Sequence, residues 1–208
     1  MYARAIYAVG DPAQVEHSLE GLRTEAPKLL ADSPGFRSFG LFADREQGKI
    51  AMGTWWETEH DRANSDAHLG QRRTELLSPF ADSVLIANAE IVAFAGTPEM
   101  SSAGTFRLGR FMIEPDRVDD LVRLFKEAGL PRMQDLTGFC GAAMFIDRER
   151  GTGSVGSLFT DRAALAASRG PQSAARREAV QRTGLRLMCL EEFEVVLLED
   201  NLDASQAQ

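Results

Sequence analysis

Cysteine is scarce in this chain: only Cys140 and Cys189 occur, and they form no CxxC pair. That argues against a disulfide scaffold and a cysteine-built metal site, and reads both thiols as small apolar residues. Long apolar runs are also missing, since none approaches the ~20 residues of a membrane span. The opening MYARAIYAVGD is too short and too quickly polar for a signal peptide, which predicts a cytoplasmic protein. An excess of positive charge is absent as well. Against 31 acidic side chains stand 23 basic ones, a formal net charge of -8 with a pI near 5.0. Such a surface repels phosphate backbones and anionic lipids, so nucleic acid and membranes are not expected partners. No G-x-S-x-G occurs, and no HRD or DFG, so hydrolase and kinase chemistry have no motif to stand on.

What is present is an internal echo. GLFADREQGK, from Gly40 to Lys49, returns as AMFIDRERGT, from Ala143 to Thr152. Gly35-Phe36 matches Gly138-Phe139, an offset of 138 − 35 = 103. The same offset carries Pro12 onto Pro115, Val15 onto Val118, Gly48 onto Gly151, Ala63 onto Ala166 and Ser65 onto Ser168. Near the ends it slips by one, AEIVAF (89–94) pairing with FEVVLL (193–198). A period near a hundred residues is too long for a solenoid and has the size of a small domain. The sequence therefore predicts a tandem duplication, with domains over 1–97 and 104–200. A polar linker over 98–103 and a loose tail over 201–208 complete it.

Each half reads as β-α-β-β-α-β. ARAIYAV is a strand, and Asp11-Pro12 offers an N-cap with proline at the first helical position. Val15, Leu19, Leu22, Ala26 and Leu29 follow at helical spacing and mark one apolar stripe. FRSFGLFA and IAMGTWW are two strands around the charged turn DREQGK, where Gly48 is free to take positive φ. A helix over 61–77 has a weak face of Ala63, Ala67 and Leu77, and VLIANAEIVAF closes the half. GTGSVG (151–156) satisfies G-x-G-x-x-G. By the repeat it is a hairpin turn entering a strand, not the strand-to-helix turn that a dinucleotide site needs. A βαββαβ unit makes a four-stranded antiparallel sheet with both helices on one face. The strands are apolar or small on both alternations, so the second face must also be covered. The predicted fold class is α+β: two ferredoxin-like domains whose sheets pair into an internal, pseudo-dimeric α/β barrel. With that partner internal, the chain is expected as a monomer or a homodimer.

PGF before strand two (Pro34 to Phe36) and the strand-three ending WWETEHDRANSDAH (Trp55 to His68) resemble the antibiotic-biosynthesis-monooxygenase-like family of the dimeric α/β-barrel superfamily. The resemblance covers both halves and implies a fused form of a barrel that two identical chains otherwise build. It implies, as activities, oxygenation of aromatic polyketides without metal or flavin, or haem degradation. The haem-degrading branch expects a ligand histidine about two and a half turns beyond the tryptophan. This chain has Ser65 and Asp66 there, with His60 too early and His68 too late. The resemblance therefore implies no cofactor and an aromatic small-molecule substrate.

Oxygen reacts without a cofactor when the substrate supplies the electrons, as a phenolate does. The protein then has to seat a flat ring, move a proton and stabilise an anion. Histidine suits the proton step because it titrates near neutrality. Histidine, tryptophan and tyrosine are all confined to the first half. This supply places the expected pocket there, between sheet and helices. His60, His68 and Asn64 are the catalytic candidates. Tyr7, Phe39, Trp55, Trp56 and Arg72 are the substrate-binding candidates, with Trp56 as a wall. No metal site is expected, because His60 and His68, eight residues apart, fall on different faces of a helix. The alternative is a non-catalytic ligand-binding or structural barrel.

Overall fold

The computed structural model describes residues 1–97, 100 and 103–200; the side chains of His68 and Asp200 also lie outside the described residues. So do the expected tail and most of the expected linker.

The elements of the first half are β1 (Tyr2–Gly10), a 3-10 turn (Pro12–Gln14), α1 (Val15–Ala31), β2 (Phe36–Asp44), β3 (Lys49–Trp56), α2 (Glu59–Leu77) and β4 (Ala81–Gly96). The second half repeats them: β5 (Thr105–Met112), a 3-10 turn (Pro115–Arg117), a first helical stretch, β6 (Phe139–Asp147), β7 (Thr152–Phe159), a second helical stretch and β8 (Arg186–Asp200). The first stretch runs as α3 (Val118–Leu124), one wide π turn (Phe125–Gly129) and α4 (Leu130–Gln134). The second is α5 (Arg162–Ala167) followed by α6 (Arg169–Thr183). The hydrogen-bonded strand order is β1-β3-β2-β8-β5-β7-β6-β4, a closed barrel. Among the described residues no helix is long and apolar enough to cross a membrane.

The chain divides into two compact units. One holds Met1–Asn88 and the chain from Glu194; the other holds Ala89–Phe193. These boundaries fall inside β4 and β8, so the end of each long strand belongs to the other unit. The boundaries expected from the sequence echo are 1–97 and 104–200.

The first unit is built as its pattern dictates. Asp11 accepts a hydrogen bond from the Ala13 amide at 2.9 Å and opens the helical turn. Val15, Leu19 and Leu22 are buried, but the stripe then continues through Leu30 while Leu29 is 39% exposed. They pack with Phe39, Leu41, Ile50, Met52 and Trp56 in one core. Leu77 is buried as expected, but Ala63 and Ala67 prove exposed, and α2 turns Ser65 and Leu69 inward instead. The reason is polar: Ser65 is held by a bond from buried Arg4, which fixes the helix rotation.

The repeated turn also has a structural role. Gly48 and Gly151 both take positive φ, 60° and 59°, and a Cβ on either would come within 2.2 Å of a backbone oxygen. Arg45 pairs with Glu16 and Glu194, and Arg148 pairs with Asp119 at 2.8 Å and Glu90 at 3.0 Å. In each unit, then, the turn arginine ties the first helix to the long last strand.

Candidate functional site

The second unit contains a cavity of about 120 Å³ between its sheet and its helices. Its walls are apolar and include Phe111, Phe125, Met133, Met144 and Val155. Its polar end is made by Arg107, Ser157, Gln172 and Arg176. Leu187 and Leu190, 43% and 42% exposed, stand at the mouth. The first unit shows why space is left here. At the positions of Gly109 and Ala179, the 103-residue offset puts Ile6 and Leu76, and both belong to or pack on the first unit's core.

Arg107 sits in the middle of β5 and is only 2% exposed. All five of its N–H groups are used. Nη1 donates to Ser168 Oγ and Gln172 Oε1, each at 2.9 Å. Nη2 donates to the Leu165 carbonyl at 2.9 Å and, like Nε, to Glu192 Oε1, at 2.7 and 3.1 Å. Gln172 passes the network on to Ser157 Oγ at 3.4 Å. Hydrogen bonding from Arg169, opposed by burial and joined by Arg107, holds the Glu192 carboxyl below the usual glutamate range.

Arg176 differs. It lines the same cavity, is half-buried, and has no hydrogen-bond or ion-pair partner among the described residues. Burial, followed by the charges of Arg107 and Arg177, lowers its pKa. A guanidinium remains protonated under such a shift, so the apolar cavity carries an uncompensated positive charge. Arg132 and Glu178, also at the lining, neutralise each other at 2.5 Å.

The first unit repeats the buried arginine. Arg4 Nη1 donates to Ser65 Oγ at 2.8 Å and Nη2 to the Arg62 carbonyl at 2.7 Å. Asp66 lies 3.5 Å from Arg4 and accepts from Arg73 at 2.8 Å. Burial pushes the Asp66 carboxyl up, but Arg73 and Arg4 outweigh it and the pKa is lowered. Arg73 occupies the position of Arg176, and Asp66 that of Arg169.

The structure distributes the sequence-derived candidates over three places. Trp56 is 0% exposed, meets Phe36 edge-on at 5.7 Å and donates its indole N–H to Thr54 Oγ1 at 3.0 Å. With Phe39 it is core on the helix side of the sheet. Trp55 and Tyr7 alternate onto the opposite face, Trp55 opposite Ala3 and Tyr7 opposite Ala51. His60 and Asn64 are exposed on α2 and share a 2.8 Å hydrogen bond between His60 Nε2 and Asn64 Nδ2. Arg72 ties α2 to α1 through Glu25 at 2.6 Å and to Glu75 at 2.8 Å. The His68 side chain lies outside the described residues. The structure therefore joins His60 to Asn64 and Phe39 to Trp56, and keeps these pairs apart from Arg72. Sequence reasoning missed Arg107, Gln172 and Arg176. A signal was available, because an arginine within an apolar strand recurs at the repeat offset, and the acid Asp66 becomes the base Arg169.

No family model matches the chain. Two uncharacterized proteins of Mycobacterium tuberculosis are similar to it. One is 23% identical over 95% of this chain and 84% of its own length, the other 22% identical over 95% and 88%. Among solved structures, an anthrone oxidase-like protein superposes with a TM-score of 0.69 at 13% identity, covering 98% of this chain and 94% of its own. A proposed monooxygenase of Fusobacterium nucleatum gives 0.72 at 9% identity, covering 96% and 94%. A ferredoxin-fold protein of Listeria monocytogenes related to antibiotic biosynthesis monooxygenases gives 0.56 at 8%, covering 93% and 94%. These likenesses establish a shared α/β-barrel fold over nearly the whole chain.

Proposed function

We propose that this chain is a monooxygenase-like barrel, fused from two copies of one ancestral domain, that takes an aromatic small molecule and oxidises it with O2 without metal or flavin. The observation that carries the reading is the cavity of the second unit, with apolar walls and an arginine-rich end. Flat aromatics are bound in such clefts, where a few polar groups fix the orientation. Its volume is on the scale of an apolar cavity that takes up one benzene ring, ~150 Å³. A polycyclic, polyketide-like substrate would seat one ring and leave the rest at the mouth.

The chemistry balances without an outside reductant. A ring-activated methylene loses two hydrogens and gains one oxygen atom as a carbonyl. The second atom of O2 leaves as water with those two hydrogens. The protein has to take the first proton and hold the resulting anion. In the second-unit cavity the anion is suited to Arg176, and no side chain there is assigned the proton step. If the reaction lies in the first unit instead, the proton step falls to His60 or His68 with Asn64, supported by the His60–Asn64 hydrogen bond. In that first-half form the substrate candidates reduce to Tyr7, Trp55 and Arg72, because Phe39 and Trp56 are core. Supply of residues favours the first half, and geometry favours the cavity of the second.

Haem does not fit the residues present. The helical position expected to supply its ligand holds Ser65, whose hydroxyl accepts from buried Arg4 and donates to the Arg62 carbonyl. A second reading, a non-catalytic ligand-binding barrel, is favoured by one observation: the second half has no histidine, tyrosine or tryptophan. Its cavity therefore has no side chain that titrates near neutrality.

Oxygen uptake with anthrone-like and hydroquinone substrates tests the proposal. Turnover by the wild type that falls at least tenfold in His60→Ala or His68→Ala supports the first-half proton step. Turnover that falls only in cavity variants puts the chemistry in the second unit. Binding without oxygen uptake across the panel replaces the oxygenase with the binding module.

A further inference from the structure

The two units satisfy their buried arginine with different carboxylates, and only the first unit's carboxylate also reaches the second arginine. In the first, Asp66 stands between Arg4 and Arg73, 3.5 Å from one and 2.8 Å from the other. In the second, the arginines recur as Arg107 and Arg176, but position 169 is arginine and points to Glu192 at 2.7 Å. Glu192 satisfies Arg107 as well and reaches no further, since no bond to Arg176 exists among the described residues. Side-chain volume is missing too: Ile6 gives way to Gly109 and Leu76 to Ala179. Gly109, Ala179 and the unpartnered Arg176 line one cavity.

We propose that the second-unit cavity binds an apolar, ring-sized molecule bearing a carboxylate, and that this carboxylate pairs with Arg176 as Asp66 pairs with Arg73. An unpaired guanidinium in an apolar wall is unfavourable until an anion reaches it. A carboxylate matches its fork of donors and gains strength from the surrounding low dielectric. The apolar walls then select against inorganic anions, which bring nothing to bury against Phe111 and Phe125. The inference deepens the functional reading above and rests on its placing of the ligand in this cavity.

Calorimetry on the full chain with matched probes tests it: 4-ethylbenzoate and 1-naphthoate against their neutral amides. The acids are expected to bind at least tenfold tighter than the amides. Arg176→Gln is expected to remove that preference, Arg176→Lys to keep part of it. Arg169→Asp, which restores the first unit's residue type at that position, is expected to weaken acid binding at least tenfold. Far-ultraviolet circular dichroism identifies any variant that fails to fold, and Arg176, half-buried at the cavity rather than in the core, is the substitution least exposed to that failure. Amides that bind as tightly as the acids overturn the inference and leave an aromatic site standing. A preference that survives Arg176→Gln overturns it as well. Failure of acids and amides alike removes the cavity as the ligand site, and with it both readings.

Discussion

Arg4 and Arg107 stand 103 positions apart and make the same pair of hydrogen bonds, one to a serine hydroxyl (Ser65, Ser168) and one to a helical carbonyl (Arg62, Leu165). Both are buried, at 4% and 2% exposure. A buried arginine is tolerated only when its donors are satisfied, so each one fixes the rotation and height of the helix that satisfies it. The pair therefore works as a repeated peg between a central strand and the second helix of its unit. Around that common peg the units diverge: Ile6 and Leu76 pack into or on the first core, while Gly109 and Ala179 line a cavity in the second.

Removing the peg from the second unit should be severe. Arg107→Met leaves buried Ser168 and Gln172 without their donor, while Glu192 keeps Arg169. Leaving a buried polar group unsatisfied costs about 1–3 kcal/mol. Urea unfolding of Arg107→Met should show a loss of that order or more. A loss below about 1 kcal/mol, the range of exposed pairs, would show that the network adds little.

Glu192 makes stability depend on acid. Its folded-state pKa lies below the ordinary value of 4.5, held there by hydrogen bonds from Arg169 first and Arg107 next. A carboxyl with a depressed pKa contributes stability that is complete above its unfolded value and is lost as pH falls through the folded one. Wild-type stability should therefore decline from about pH 4.5 downward, and Glu192→Gln should show a shallower decline over that window. Urea midpoints at a series of pH values check it; equal slopes would remove Glu192 from the acid response.

The fold was legible because its signals are local and doubled. Gly48 and Gly151 mark the same turn, Asp11-Pro12 and Glu114-Pro115 open the same helical turn, and Val15, Leu19 and Leu22 line up at helical spacing. The α2 face was not legible, because Ala63 and Ala67 satisfy a periodicity that buried Ser65 overrides through Arg4. The candidate site was the least legible part. Histidine and tryptophan carry the familiar chemistry, and both occur only in the first half. A cavity, however, is made by what is small, and Gly109 and Ala179 advertise nothing in a single sequence. Nor could sequence show that Trp56 spends its indole on Thr54 within a closed core. The offset did hold one usable clue, the reversal of charge from Asp66 to Arg169.

Filling the cavity should separate binding from stability. The nearest atoms to a Cβ built on Gly109 are Leu190 Cδ1 at 3.5 Å and Leu187 Cδ1 at 3.7 Å, ordinary contact distances. Gly109 also has no positive φ, so a side chain there meets no backbone strain. Gly109→Ala should then stabilise the protein by about 0.4–1 kcal/mol through the unfolded chain. Ala179→Leu restores the residue type of Leu76 and should fill apolar space without removing a hydrogen bond of Arg107. Together the two should reduce affinity for ring-sized ligands at least tenfold while the melting temperature holds or rises. Measured by calorimetry and thermal unfolding on the same samples, that opposition is what a real cavity produces. A double variant that loses stability and keeps its ligand would mean that the space is already occupied by mobile side chains and that the ligand sits elsewhere.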